Sequence, residues 1–349
     1  MTDAILSDII GNDSHIYIKD RMHQMKKLIS IVTVVLLVCG IAACGPAVPQ
    51  KTDSQDTLTV VTTIFPEYDW VRNLVNGRKG KTEVLGLFES GTDMHSFQPS
   101  VEDILTISNC DLFIYVGGES DKWVRDALDE AVNPDMAVVS LLEALGDKAK
   151  EEELTEGMEG EAGPDDSEDE AEYDEHVWLS LRNAAFLTDE IAKALAEADS
   201  GNAELYRENA EAYRQKLEAL DAKYQEAVES AKVKTLLFGD RFPFRYLVDD
   251  YGLDYYAAFA GCSAETEASF ETIVFLADKV DELSLPAILT IEGTDHRIAE
   301  TIRDNTASRS QQILVLDSMQ SVSAEDMENG ATYLSVMERN LEVLKSALE

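Results

Sequence analysis

The sequence predicts an α/β protein of two parallel-sheet lobes joined by one long rigid helix, and three observations carry that expectation. Short β-branched runs alternate with helical patterns in both halves of the chain, as parallel βα units require. Between those halves, residues 203–232 hold few turn signals, which allows a single helix of about 45 Å at 1.5 Å per residue. About 290 residues follow position 57, enough for two lobes with real cores.

In chain order, residues 58–65 read as a buried strand, followed by Pro66 and a helical pattern through Tyr68, Val71, Leu74 and Val75. Residues 82–87 form a second strand, 101–107 a short helix, and 111–116 a third strand that ends at Gly117 and Gly118. The segment 151–175 carries 14 acidic residues, no Lys or Arg, three Gly and one Pro, and reads as a mobile loop that draws in cations only weakly. In the helix-rich stretch that follows, Leu205, Tyr213, Leu217, Leu220, Tyr224 and Ala227 recur at helical spacing. A coiled coil is the alternative, but the pattern lasts only about three heptads. The second lobe repeats the alternation, with strands at 234–238, 254–259, 286–291 and 312–316 and helices at 244–250, 270–283 and 297–305. The expected domains are a first lobe at 58–186, linking helices at 187–232 and a second lobe at 233–349.

Residues 1–24 read as an upstream extension. Met25, Lys26 and Lys27 then precede an apolar run over 28–43, which is too short for a comfortable membrane span and reads as a signal peptide. Its end, Ile41-Ala-Ala-Cys44-Gly, resembles the lipobox of bacterial lipoproteins. That resemblance implies that Cys44 is acylated and becomes the mature N-terminus, anchoring the protein on the extracytoplasmic face of the cell membrane. Residues 45–57 would form the flexible tether.

With 68 acidic against 29 basic residues the chain has no basic stripe, which argues against nucleic acid and suits a cation-attracting surface. Beyond Cys44 only Cys110 and Cys262 remain, so a disulfide framework is not expected; Cys110 reads as a packed core thiol.

Three of the five histidines lie beyond Cys44. His95 falls in a loop just after the second strand, where Gly91, Asp93, Ser96 and Pro99 favour turn geometry, and a neutral imidazole there suits a borderline metal ion. In parallel sheets ligands gather at the carboxyl ends of strands, and Asp240, Glu292 and Asp317 also end strands that could face a cleft. Glu175 reads as exposed loop, His296 as surface, and Trp178, Phe97 and Phe65 as core or cleft wall.

With those residues in view, residues 58–348 resemble the metal-binding solute receptors of bacterial ABC importers for zinc and manganese. Asp93-Met-His-Ser-Phe-Gln-Pro-Ser100 is similar to that family's first ligand segment, and His176-Val-Trp-Leu-Ser180 to its second. Tyr251-Gly-Leu253, Glu267-Ala-Ser269 and Leu316-Asp-Ser-Met319 also follow its pattern. The resemblance implies His95, His176 and Asp317 as ligands of Zn²⁺, or alternatively Mn²⁺, held in the cleft between the lobes. It also implies a non-enzymatic, monomeric receptor that delivers the ion to an ABC permease.

One position departs from the pattern. Where the family has a His or Glu, one count lands on Arg241, which cannot ligate a cation, and the other on Asp240, with Glu292 as the next candidate. The expected partner of Arg241 is therefore Asp317 or Asp240. Three other readings stay open: an acidic surface adhesin of the same fold, a receptor for an anionic solute clamped by Arg241, and a hydrolase, which lacks an obvious general base.

Overall fold

The computed structural model describes residues 57–88, 91–159, 172–263 and 267–349. Thr57–Thr62 (β1), Lys81–Gly86 (β2), Leu112–Tyr115 (β3) and Ala137–Ser140 (β4) pair in parallel in the order β2-β1-β3-β4. Thr235–Phe242 (β5), Asp254–Ala260 (β6), Ala287–Thr290 (β7) and Gln312–Val315 (β8) repeat that plan in the order β6-β5-β7-β8. In each sheet the chain reverses its direction of travel next to the first strand, so the loops leaving the carboxyl ends part there and open a crevice. Cys44, residues 1–44 and nearly all of the 45–57 tether lie outside the described residues. Among the described residues no helix is long and apolar enough to cross a membrane.

Local chemistry sets the element boundaries. β1 stops at Thr62 because the Glu67 carboxylate accepts from the amides of Thr63 and Ile64, at 2.9 and 3.3 Å, and starts the helix Phe65–Leu74 (α1). Pro66 suits that first turn, where its missing N–H costs nothing. Ser100 and Asp103 form a capping box at the start of Val101–Asn109 (α2). Val124–Asp129 (α3), Leu141–Leu145 (α4) and β4 are short, and the sequence reading did not assign them. Ser180 caps Leu181–Ala198 (α5), which begins inside the stretch expected to belong to the first lobe.

Next comes Ala203–Ser230 (α6), 28 residues or about 42 Å. Its buried stripe is Tyr206, Ala210, Tyr213, Leu217, Leu220, Tyr224 and Val228, whereas Leu205 and Ala227 lie only at the stripe's edge. The remaining helices are Arg245–Tyr251 (α7), Phe270–Leu283 (α8), Arg297–Asn305 (α9), Ala324–Glu328 (α10) and Tyr333–Leu348 (α11).

The two sheets share one core. α11, which the sequence reading also left unassigned, folds back from the end of the chain onto α1. There the Tyr333 ring meets Trp70 edge-on at 5.3 Å and the Tyr333 amide donates to Asp69 at 3.2 Å. Tyr224 on α6 donates to the Met337 carbonyl of α11 at 2.6 Å. A single buried cluster runs from Leu58 and Trp70 through Trp178 and Tyr224 to Phe238 and Leu344.

Glu67 gives this core a pH dependence. Complete burial, and secondarily the charge of Asp121, push its carboxyl from the usual 4.5 up to about 8, and Oε1 has no hydrogen-bond partner. As pH rises the unfolded chain loses this proton first, so stability falls between about pH 4.5 and 8, by on the order of 5 kcal/mol. Chemical denaturation across pH 5–9 should show a flatter profile for Glu67→Gln, with the variant overtaking the parent at the alkaline end. Parallel profiles would show that Glu67 ionises normally in the fold.

Candidate metal centre

His95 and His176 meet at the carboxyl ends of the first sheet. His95 sits in the 3₁₀ turn Met94–Ser96, where the Asp93 side chain accepts from the His95 amide at 3.0 Å and fixes the turn. His176 precedes the 3₁₀ turn Val177–Leu179, and Asp174 Oδ1 lies 2.9 Å from its amide and 3.0 Å from its Nδ1. The other ring is held in a similar way: His95 Nδ1 lies 2.8 Å from Ser120 Oγ and 3.5 Å from Glu175 Oε2. With both Nδ1 atoms engaged, the two Nε2 atoms converge to 3.1 Å.

That separation has a chemical meaning. Two nitrogens at 2.0–2.1 Å on a tetrahedral zinc ion lie about 3.3 Å apart. If each Nδ1 keeps its proton for its oxygen partner, two lone pairs face one another and a cation between them relieves the repulsion. Burial, then the neighbouring His176, push His95 down to about 3, so it stays neutral and able to ligate. Burial acts the same way on His176, but the charge and hydrogen bond of Asp174, with Glu175 behind them, outweigh it and hold that ring above its usual value.

A third group comes from the second sheet. One ligand atom each of His95, His176 and Cys262 lie within 4.8 Å of one another. Cys262 follows β6, and Gly261 brings that loop close, since a Cβ there would stand 3.1 Å from His176 Cε1. Gln320, in the loop after β8, is a polar neighbour of both imidazoles and favours their charged forms. Its Nε2 donates to Ser318 Oγ at 2.9 Å, while the buried Oε1 stands beyond direct hydrogen-bond reach of any partner. Burial, then Glu175, Asp174 and Glu152, push the Cys262 thiol up, so without a cation it keeps its proton.

The carboxylates expected as ligands are engaged elsewhere. Asp240 lies inside β5 rather than beyond it; its oxygens accept from the Arg241 amide at 2.9 Å, Thr294 Oγ1 at 2.9 Å and the Ile291 amide at 3.3 Å. Glu292 accepts from the amide and hydroxyl of Ser318, both at 2.7 Å, and from the Gln320 amide at 3.0 Å, bracing the loop after β8. Asp317 accepts from the Met319 amide at 2.9 Å and lies 3.7 Å from Arg339. None of the three joins the imidazole cluster found among the described residues. Arg241 pairs with neither Asp240 nor Asp317: its guanidinium donates to Asp93 Oδ2 at 2.6 Å, linking β5 to the turn that carries His95.

Three other expectations change. Glu175 is not exposed loop but 1% accessible, accepting from the Ser120 amide at 2.8 Å. The acidic segment has ordered ends, with Glu151 bridged to Tyr173 and Glu159 to Phe259, while residues 160–171 lie outside the described set. His296 is half-buried at a left-handed backbone position. Sequence reasoning missed Cys262 and Gln320, although the strand-end rule that picked out Asp240 and Asp317 applies equally to the loops that carry them.

A cavity of about 1050 Å³ opens over the site, with Glu119, Glu151, Glu152 and Glu172 on its wall. Such a mouth raises the local concentration of cations and leaves far more room than a bare ion fills.

Residues 60–347 match the family described as zinc-uptake complex component A, periplasmic. The chain is 31% identical over 328 residues to the zinc-binding lipoprotein AdcA of Streptococcus pneumoniae serotype 4, covering 93% of this chain and 62% of that protein, so it spans a little under two thirds of that relative's length. It is 29% identical over 330 residues to the high-affinity zinc uptake system protein ZnuA of Bacillus subtilis, covering 93% of this chain and 99% of that one. Among solved structures, the Zn(II)-bound ZnuA-like domain of Streptococcus pneumoniae AdcA matches with a TM-score of 0.65 at 29% identity, over 84% of this chain and 99% of that domain.

Proposed function

The chain belongs to the family of periplasmic zinc-uptake components, and from that premise we propose that it is an extracytoplasmic receptor that captures Zn²⁺ and hands it to an ABC permease. The observation that carries this reading is the 3.1 Å convergence of the His95 and His176 Nε2 atoms, each ring braced through its Nδ1. His95 and His176 are the ligands it requires. Asp174, Ser120 and Glu175 orient them, as outer partners do around zinc. Anchoring through an acylated Cys44 would keep the receptor beside its permease.

Release follows from the same geometry. Arg241 on β5 and Asp93 beside His95 form an ion pair across the cleft, so separating the sheets breaks that pair and loosens the turn that aims the His95 ring. Protonation of the imidazoles acts in the same direction, because only the neutral ring binds metal. The anionic-solute alternative gains no support, since Asp93 already neutralises Arg241.

Elemental analysis after gentle purification should find about one zinc per chain. Chelation should then lower the melting temperature, because an ion bound only by the folded state stabilises it by mass action. A metal-free protein whose melting point is unmoved by added zinc would sink the reading.

A further inference from the structure

We propose that the Cys262 sulfur is the third zinc ligand and makes the site selective for zinc over manganese; this rests on the receptor reading above. His95 and His176 supply two nitrogens from the first-sheet side. From the second sheet, Arg241 has only donors and is paired with Asp93, while the oxygens of Asp240, Glu292 and Asp317 are engaged by amides, hydroxyls or Arg339. That leaves Cys262 Sγ, grouped with the two imidazoles within 4.8 Å, and Gln320 Oε1. Gln320 is 4% exposed and neighbours both rings, and its buried carbonyl oxygen has no hydrogen-bond partner, an independent sign that this space is built around a bound group.

The surroundings hold the thiol in place. The Cys262 amide donates to Glu152 Oε1 at 3.2 Å, and the Ser263 amide to the Ala260 carbonyl at 3.3 Å, closing the loop after β6 into a turn. Around a tetrahedral zinc, sulfur at about 2.3 Å and nitrogen at about 2.0 Å lie about 3.5 Å apart. A small inward shift of this loop therefore closes the shell, with Gln320 Oε1 at the fourth position. As the zinc–sulfur bond forms the S–H bond breaks and its proton passes to solvent through the acidic mouth; no electron is transferred. A thiolate suits zinc and is a poor partner for manganese, which prefers oxygen donors.

Cobalt(II) is the probe, because a thiolate bound to it adds an intense near-ultraviolet charge-transfer band to the visible ligand-field bands. The full-length cobalt-loaded protein should show both sets, and Cys262→Ser should keep the visible bands while losing the ultraviolet one. The same variant should bind zinc roughly 10- to 100-fold more weakly with manganese affinity unchanged, narrowing the preference between the two. Visible bands in the wild-type protein without the charge-transfer band would overturn the cysteine assignment and leave the histidine site standing. Failure of the wild-type protein to take up cobalt or zinc at all would overturn both. The wild-type spectrum decides the matter even if the serine variant folds poorly.

Discussion

His95→Ala should lower zinc affinity at least about 100-fold with little loss of stability, and His176→Ala should lower both. Removing an outer partner of a metal ligand typically costs 10- to 100-fold, and deleting the ligand itself should exceed that. The two variants differ in their settings. The His95 side chain is 11% exposed on a turn already held by Asp93, so the turn survives its loss. His176 is fully buried against Trp178, with ring centroids 5.3 Å apart, and its loss leaves Asp174 Oδ1 without its ring partner. Unfolding of His176→Ala should therefore show a further loss of about 1–3 kcal/mol from the lost ring packing and the lost ring hydrogen bond, although Asp174 Oδ1 keeps the amide of residue 176. Competition against a chelating dye measures the affinities. If both variants stay within tenfold of the parent, the ion binds somewhere else.

Trp178→Ala should cost about 3–5 kcal/mol, among the largest losses a single truncation can produce here. The indole is fully buried and its Nε1 donates to the Ser318 carbonyl at 2.9 Å, while its own carbonyl accepts from Tyr333 at 2.6 Å. It thus joins three segments: the turn after His176, the loop after β8 that carries Gln320, and helix α11. Truncation opens a cavity beside His176 and leaves the Ser318 carbonyl unpaired, so zinc affinity should fall along with stability. Trp178→Phe keeps most of the apolar volume and should cost only about 1–3 kcal/mol, mainly the unpaired carbonyl. Urea denaturation in the absence of metal reads the stability terms alone. A loss under about 1 kcal/mol for the alanine variant would mean that the neighbouring chain collapses into the space.

Much of this molecule follows from short-range chemistry and was readable in the chain. Helices α8 and α9 begin and end where periodicity and turn residues placed them, and the long α6 ends within two residues of its expected limit. Among the described residues seven of the eight strands, all but β4, carry enough β-branched and aromatic residues in one run to announce themselves, and His95 and His176 stand in loops whose neighbours leave few other places for an imidazole. The fate of the polar strand ends was not readable in this way. β5 continues through Asp240 and Arg241 because Gly239 lets α9 approach, since a Cβ there would stand 2.6 Å from the Ala299 Cα. Arg241 chose Asp93, 148 residues away, and Glu292 chose the loop at Ser318. A carboxylate at a strand end is drawn equally to a cation and to any unpaired amide nearby, and the sequence does not say which amides the other lobe will bring. Tertiary packing supplied those amides first, and so it left the two imidazoles grouped with the Cys262 thiol rather than with the expected carboxylates.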